Sequence, residues 1–130
     1  MIAIPTDRPV VESDIATSWV DDDGFLVSRS KSATRTVANI TANSELIQQL
    51  TGHKKVPLLI YLAKSPIPDK ATRAFSTEQL PRVYTAMAMI AEPGLAQLIM
   101  RLLFALRPPP IPIRQFTNEH DARAWLRQLR

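Results

Sequence analysis

The stretch from Arg82 to Leu106, RVYTAMAMIAEPGLAQLIMRLLFAL, constrains the fold more than any other part of the chain. Val83 to Ala91 is an almost unbroken apolar run of strand length, the pattern of a strand covered on both faces. Glu92-Pro93-Gly94 then turns the chain. Leu95 to Leu106 is apolar on nearly every side of a helix, interrupted only by Gln97 and Arg101, and is too short to cross a bilayer. A buried strand followed by a helix of this length implies a crossover to a parallel neighbour.

The rest of the chain repeats that unit. Met1 to Pro9 reads as a tail punctuated by Pro5 and Pro9, and residues 10–130 read as one domain. Val10 to Val20 alternates through Val11, Ile15 and Trp19 and predicts a strand. Asp21-Asp22-Asp23-Gly24 is a turn, and Phe25 to Ser30 returns as the second strand of a hairpin. A helix capped by Ser32 or Thr34 runs to Leu50, with Val37, Ile40, Ile47 and Leu50 on one face, and Gly52 ends it. Lys54 to Ala63 is a buried strand with Pro57 near its start.

Asp69 caps a helix from Lys70 to Gln79 that turns Ala71, Ala74 and Phe75 inward and is broken by Pro81. After the central strand and helix, Arg107-Pro108-Pro109-Pro110 stops the chain from continuing as helix. Ile111 to Phe116 is a short edge strand, and Thr117 caps a helix from Asn118 to Leu129 with Ala122, Trp125, Leu126 and Leu129 inward. The order is β-β-α-β-α-β-α-β-α. It predicts an α/β fold whose mostly parallel sheet has about five strands and four helices, with the first strand antiparallel in a hairpin.

Composition removes several chemistries. The chain has no cysteine, so it has no disulfide, thiolate metal site or cysteine nucleophile. A phosphate-cradling glycine loop is absent, since the glycines are only Gly24, Gly52 and Gly94. Asp21 to Asp23 resemble the start of a calcium loop, but the later ligands are missing, and a solvated turn is the simpler reading. His53 follows a helix-ending glycine, and His120 lies between Glu119 and Asp121, which diverge around a helix. No metal, cofactor or catalytic set is expected. The net charge of +4 combines an acidic first segment with a basic body, yet no aromatic residues interleave with the basic ones to stack on bases. Specific nucleic-acid binding is not expected. The N-terminus lacks a secretory pattern, so a soluble, cytoplasmic protein is expected.

Ala86-Met87-Ala88, the helix from Ala96 to Phe104, Pro112-Ile113-Arg114-Gln115-Phe116-Thr117-Asn118-Glu119 and Ala122-Arg123-Ala124-Trp125-Leu126 together resemble the SpoIIAA-like, or STAS/SEC14-like, small bacterial domains of unknown function. The resemblance implies their α/β fold. The wider family includes anti-sigma-factor antagonists switched by phosphorylation of a serine in an Asp-Ser-Ser-Gly-like motif. The matching place is Asp69-Lys70-Ala71-Thr72, where the aspartate is kept, the switch serine is Ala71 and the glycine is Thr72. The switch itself is therefore not carried over; Ser65, Asp69 and Thr72 mark the region where it stands in the family.

Two functions remain. On the helix from Leu95 to Leu106, Ala96, Met100, Leu103 and Phe104 form a second apolar face beside the core face of Leu95, Leu98, Leu102 and Leu106, with Ile99. Such a helix fits a contact surface, and with the resemblance it predicts a non-enzymatic regulatory domain acting through protein contacts, as a homodimer or with another protein. The alternative is a carrier or sensor of a small apolar molecule or lipid, whose head group would meet Arg101 and Arg107. An internal pocket lined by Met87, Met89, Leu98 and Leu102 would mark that alternative.

Overall fold

The computed structural model describes residues 3–104 and 108–129, with the side chains of 103 and 104 also outside the description. Six strands and four helices alternate: β1 (Val10–Glu12), β2 (Ala16–Val20), β3 (Leu26–Ser30), α1 (Val37–Leu50), β4 (Val56–Tyr61), α2 (Lys70–Val83), β5 (Tyr84–Ile90), α3 (Pro93–Phe104), β6 (Ile113–Phe116) and α4 (Glu119–Leu129). The strands lie in the sheet in chain order, β1 to β6. β1, β2 and β3 pair antiparallel, and β3 to β6 pair parallel.

That order fixes the layers. Three successive right-handed crossovers, each stepping to the next strand, place α1, α2 and α3 on the same face of the sheet. Ile47, Val83, Ile99 and Met100 from those helices pack on Leu26, Leu58, Met87 and Met89. α4 follows the last strand and covers the other face, where Ala122 and Leu126 meet Trp19, Phe25, Val27, Leu59, Ala86 and Ala88. Leu58/Leu59 and Met87/Ala88 show why β4 and β5 read as unbroken apolar runs: successive residues serve opposite layers. No described helix is long and apolar enough to cross a membrane.

The sheet has one strand more than the sequence pattern suggests. The stretch from Val10 to Val20 is two strands, because the Ser13 hydroxyl accepts from the amides of Ile15 and Ala16 and folds the chain back. This serine turn ends the alternation read through Val11, Ile15 and Trp19: Val11 pairs with Ser18, so it lies on the face opposite Trp19. Pro57 lies in a central strand, but at an irregularity: Val56 faces Tyr84 and Pro57 faces Ala86, and β3 begins pairing only at Leu58.

Helix ends also move. The first cap is Thr36, in a reciprocal box with Asn39, rather than Ser32 or Thr34. Asn118, whose side chain accepts from the Asp121 amide at 2.9 Å, caps α4 in place of Thr117. Pro81 does not break α2, which continues to Val83. In that helix Thr72 and Val83 are buried while Ala71 and Ala74 face out, and Phe75 packs on Ile15, Ala16 and Ile40. Val37 and Leu129 are exposed rather than inward.

Candidate functional site

β5 ends at Ile90, and Pro93 opens α3 where its missing amide proton is harmless. The Glu92 carbonyl accepts from the amides of Leu95 and Ala96. Ala96 is 1% exposed, and Ile99 and Met100 pack with Met87 and Met89. Leu98, expected in the core, is 37% exposed beside exposed Gln97 and Arg101. The buried side of α3 is thus turned from the expected one: Ile99 packs inward as expected, Ala96 and Met100 join it, Leu98 faces out, and Leu95 and Leu102 are half-buried. Ala96, Ile99 and Met100 have the same i, i+3, i+4 spacing as Leu95, Leu98 and Ile99, so periodicity alone cannot orient an all-apolar helix. Buried Ala96 offers a partner nothing. Leu103, Phe104 and Arg107, the other expected contacts, lie outside the described side chains.

Between α3 and β6 runs an open groove of about 370 Å³ lined by Gln97, Met100, Arg101, Ile113, Arg114 and Gln115. It joins Met100 and Arg101, expected separately as contact and anion residues, to three residues of β6. β6 is the last strand of the sheet. Its inner edge is fixed by the register Met87 to Ile113 and Met89 to Gln115, with the Met87 amide donating to the Pro112 carbonyl at 2.9 Å. In a parallel ladder this turns the backbone groups of Pro112, Arg114 and Phe116 toward β5 and those of Ile113 and Gln115 outward. Arg101 and Arg114 are exposed, and neither has an ion pair among the described residues. The Arg114 guanidinium lies 5.1 Å from the centre of the Phe116 ring, which props it over the opposite face of the strand.

The region matching the family switch is a structural joint. The Asp69 carboxylate accepts from the Thr72 amide at 2.7 Å and caps α2, and that hydrogen bond holds its pKa below the usual range. Thr72 is 7% exposed. The Ser65 hydroxyl accepts from Arg35 at 2.6 Å and bonds to the Lys31 carbonyl at 3.2 Å. Arg35 also donates to the carbonyls of Ile15, Lys31 and Ala33, so one guanidinium ties the loops after β3 and β4 to the turn before β2. Burial pulls its pKa down.

Of the three aspartates of the hairpin turn, Asp22 is solvated as expected, but Asp21 and Asp23 are largely covered. Arg123 bridges Asp21, Asp23 and Glu119, and Arg127 reaches Asp23 at 2.8 Å. Arg8 binds Asp22 at 2.9 Å. At the first residue of α4 the Tyr61 hydroxyl also donates to Glu119. Burial works against the Arg123 cation, but its bonds to Asp21 and Glu119 outweigh this and raise its pKa. Burial opposes the Glu119 charge in the same way, and bonds from Tyr61 and Arg123 overcome it and lower its pKa. Sequence separation of about a hundred residues hides this network; only the unusual Asp-Asp-Asp run signals a need for cations. An open cleft of about 520 Å³ beside it is lined by Arg8, Trp19 and the same charged groups. The charged groups there are already paired: Asp21 and Asp23 with Arg123 and Arg127 of α4, and Arg8 with Asp7 and Asp22.

Among the described residues no three His, Asp or Glu side chains converge as a metal site, and His53 and His120 are both exposed. Met87 is 5% exposed and Met89 is fully buried, and neither lines any of the clefts described here.

The fold is that of a crystal structure of an uncharacterised protein from Shewanella loihica PV-4, of the DUF3478 family, with a SpoIIAA-like fold. The two chains are 18% identical, align over 91% of this chain and 90% of that one, and give a TM-score of 0.57. No curated protein sequence matches. The fold expected from the resemblance is therefore the fold present: a SpoIIAA-like α/β sheet. The sequence profile of a domain of unknown function, DUF7793, matches residues 18–130, from β2 to the end of α4, and the chain belongs to that family.

Proposed function

We propose that this is a non-enzymatic regulatory domain that acts through protein contacts, as a dimer, and that its contact surface centres on α3 and β6. One observation carries the reading. The groove between them places an apolar floor of Met100 and Ile113, two arginines without ion pairs among the described residues, and an outer strand edge side by side. Leu98, exposed on the outward side of α3, is the described residue best placed for the twofold contact. The polar clusters elsewhere are satisfied internally: among the described residues every buried side-chain nitrogen or oxygen has a partner. A carrier of an apolar molecule would need interior space near Met87 and Met89, and those side chains are packed against Leu26, Ile47 and Leu58.

Native mass spectrometry on the protein purified from its own host tests the choice. A dimer with no added mass supports a contact domain. A species carrying a discrete extra mass of a few hundred daltons refutes it in favour of the carrier.

A further inference from the structure

Resting on that reading, we infer that the partner of the α3–β6 groove is an extended acidic segment of another protein, which adds to the sheet as a seventh strand beside β6.

The backbone asks for a strand. Ile113 and Gln115 direct two N–H donors and two carbonyl acceptors away from β5, spaced as a ladder. These are the groups that an added strand pairs. β6 carries two of the usual defences against such pairing, its short length and the charge of Arg114, but both defences select rather than exclude. A charge on an edge repels a strand of the same sign and admits one of the opposite sign.

The side chains specify acid. Arg114 shares the face of Phe116, on the α4 side of the sheet, and Arg101 stands on the α3 side. An added strand running beside Gln115 has cations above and below it. Successive residues of a strand point to opposite faces, so carboxylates on one face meet Arg114, while the other face meets Met100, Ile113 and, farther out, Arg101. The fit is an acidic strand with apolar residues alternating toward α3.

The same charges argue against a second copy at this edge. An antiparallel twofold pairing of β6 with itself brings Arg114 of one copy near Arg114 of the other, and like charges across a ladder destabilise it. The dimer contact and the acidic-strand contact are therefore different surfaces, with Leu98 on the first and β6 on the second.

The test is fluorescence anisotropy of the full chain with a labelled ten-residue peptide alternating valine and glutamate, at low and at physiological salt. The expected result is saturable binding that weakens as salt rises and is lost at least tenfold in Arg101→Glu/Arg114→Glu. Gln115→Pro removes an outward amide while leaving both arginines, and proline is tolerated there on an edge. It should also lose at least tenfold, with an unchanged circular dichroism spectrum. A peptide N-methylated at alternate residues tests the same ladder on the unaltered protein and should bind at least tenfold more weakly. Equal binding of the N-methylated peptide, or of a valine–lysine peptide, overturns the added strand. So does a dimer that ignores the peptide and dissociates on Gln115→Pro, which assigns the edge to a second copy. A protein that is dimeric and free of added mass yet binds no peptide overturns this inference and leaves the contact-domain reading standing. One that binds no peptide and carries an extra mass sinks both.

Discussion

Replacing Arg123 with methionine should unfold this protein more easily than any other single surface-charge change. The methionine keeps a long apolar stem where the Arg123 guanidinium lies 6.0 Å from the Phe25 ring centre, so the change isolates the charge. Arg123 is 17% exposed and Asp21 is 11% exposed, so this pair is nearly dry. Removing one member of a buried pair costs about 3–5 kcal/mol. Two features reduce that here. Asp21 keeps bonds from the amides of Asp23 and Phe25, each at 3.0 Å, and Asp23 and Glu119 are more open to water. The expected loss is about 2–3 kcal/mol, or roughly 10 °C in Tm for a domain of this size. Urea unfolding followed by circular dichroism and by the fluorescence of Trp19 and Trp125 reads it directly, since Trp19 lies under α4 and Trp125, on α4, packs against the same cluster.

Arg127 supplies the internal control. It reaches the same Asp23 but is 47% exposed, so Arg127→Met should cost no more than about 0.5 kcal/mol. A double-mutant cycle of Arg123→Met with Asp21→Asn should give a coupling of at least about 1 kcal/mol, the range for residues sharing one network. If Arg123→Met costs less than about 1 kcal/mol, or no more than Arg127→Met, the network is not what fixes α4, and the reasoning from burial is refuted.

Burial holds the pKa of both tyrosines of the chain, Tyr61 and Tyr84, well above the ordinary phenol value, and Glu119 raises Tyr61 further. A raised phenol pKa in the folded state stabilises up to the unfolded value near 10 and is a liability above it, so absorbance at 295 nm should stay flat through that pH until circular dichroism shows unfolding. The lowered Glu119 pKa has the opposite window: its contribution is present above 4.5 and should fade as pH drops below, and Glu119→Gln should flatten that part of the acid-unfolding curve. His53 has a φ of 62°, which a side chain disfavours, so His53→Gly should stabilise the protein by roughly 0.5–1 kcal/mol in urea unfolding. Leu126 is fully buried under the sheet, and Leu126→Ala should cost about 2–5 kcal/mol in the same assay.

The sequence made the parallel half of the fold legible because its signals are local. β4 and β5 are continuous apolar runs, and the helix between them has the length of a crossover. The antiparallel half was read less well, because what splits Val10–Val20 is one serine hydroxyl accepting two amides. Helix rotation is hidden in the sequence for two different reasons. In α3 too many residues are apolar for a stripe to stand out, and the buried side holds the small Ala96 that allows close approach. In α2 Thr72 is buried beside the apolar inward residues Phe75 and Val83, and its polarity disguises it. Of the candidate site, Met100 and Arg101 were legible as types of residue, but their meeting with Arg114 and Gln115 was not. That meeting depends on β6 being the outer strand next to α3, a fact of sheet order.

Sheet order also explains why this edge differs from the opposite one. Each crossover steps in the same direction, so the growing sheet ends at the strand where the helical crossovers stop. The other end is the three-residue β1, and there Glu12 is bound by Lys31 at 2.6 Å and Arg8 by Asp7 and Asp22. Arg8 and Lys31, the cations at the β1 end, are paired within the chain, whereas Arg101 and Arg114 at the β6 end have no such partner among the described residues. Paired surface charges add little to attraction at a distance, while two like charges held near each other steer an oppositely charged segment from solution. The acidic first segment of the chain therefore serves its own fold, and the basic edge is left to recruit. If that division is right, Arg101→Glu/Arg114→Glu should leave the free energy of urea unfolding within about 0.5 kcal/mol of wild type, as surface changes away from structural contacts do, while abolishing peptide capture. A loss of stability comparable to that of Arg123→Met would instead make these arginines part of the fold and remove the basis for assigning them to a partner.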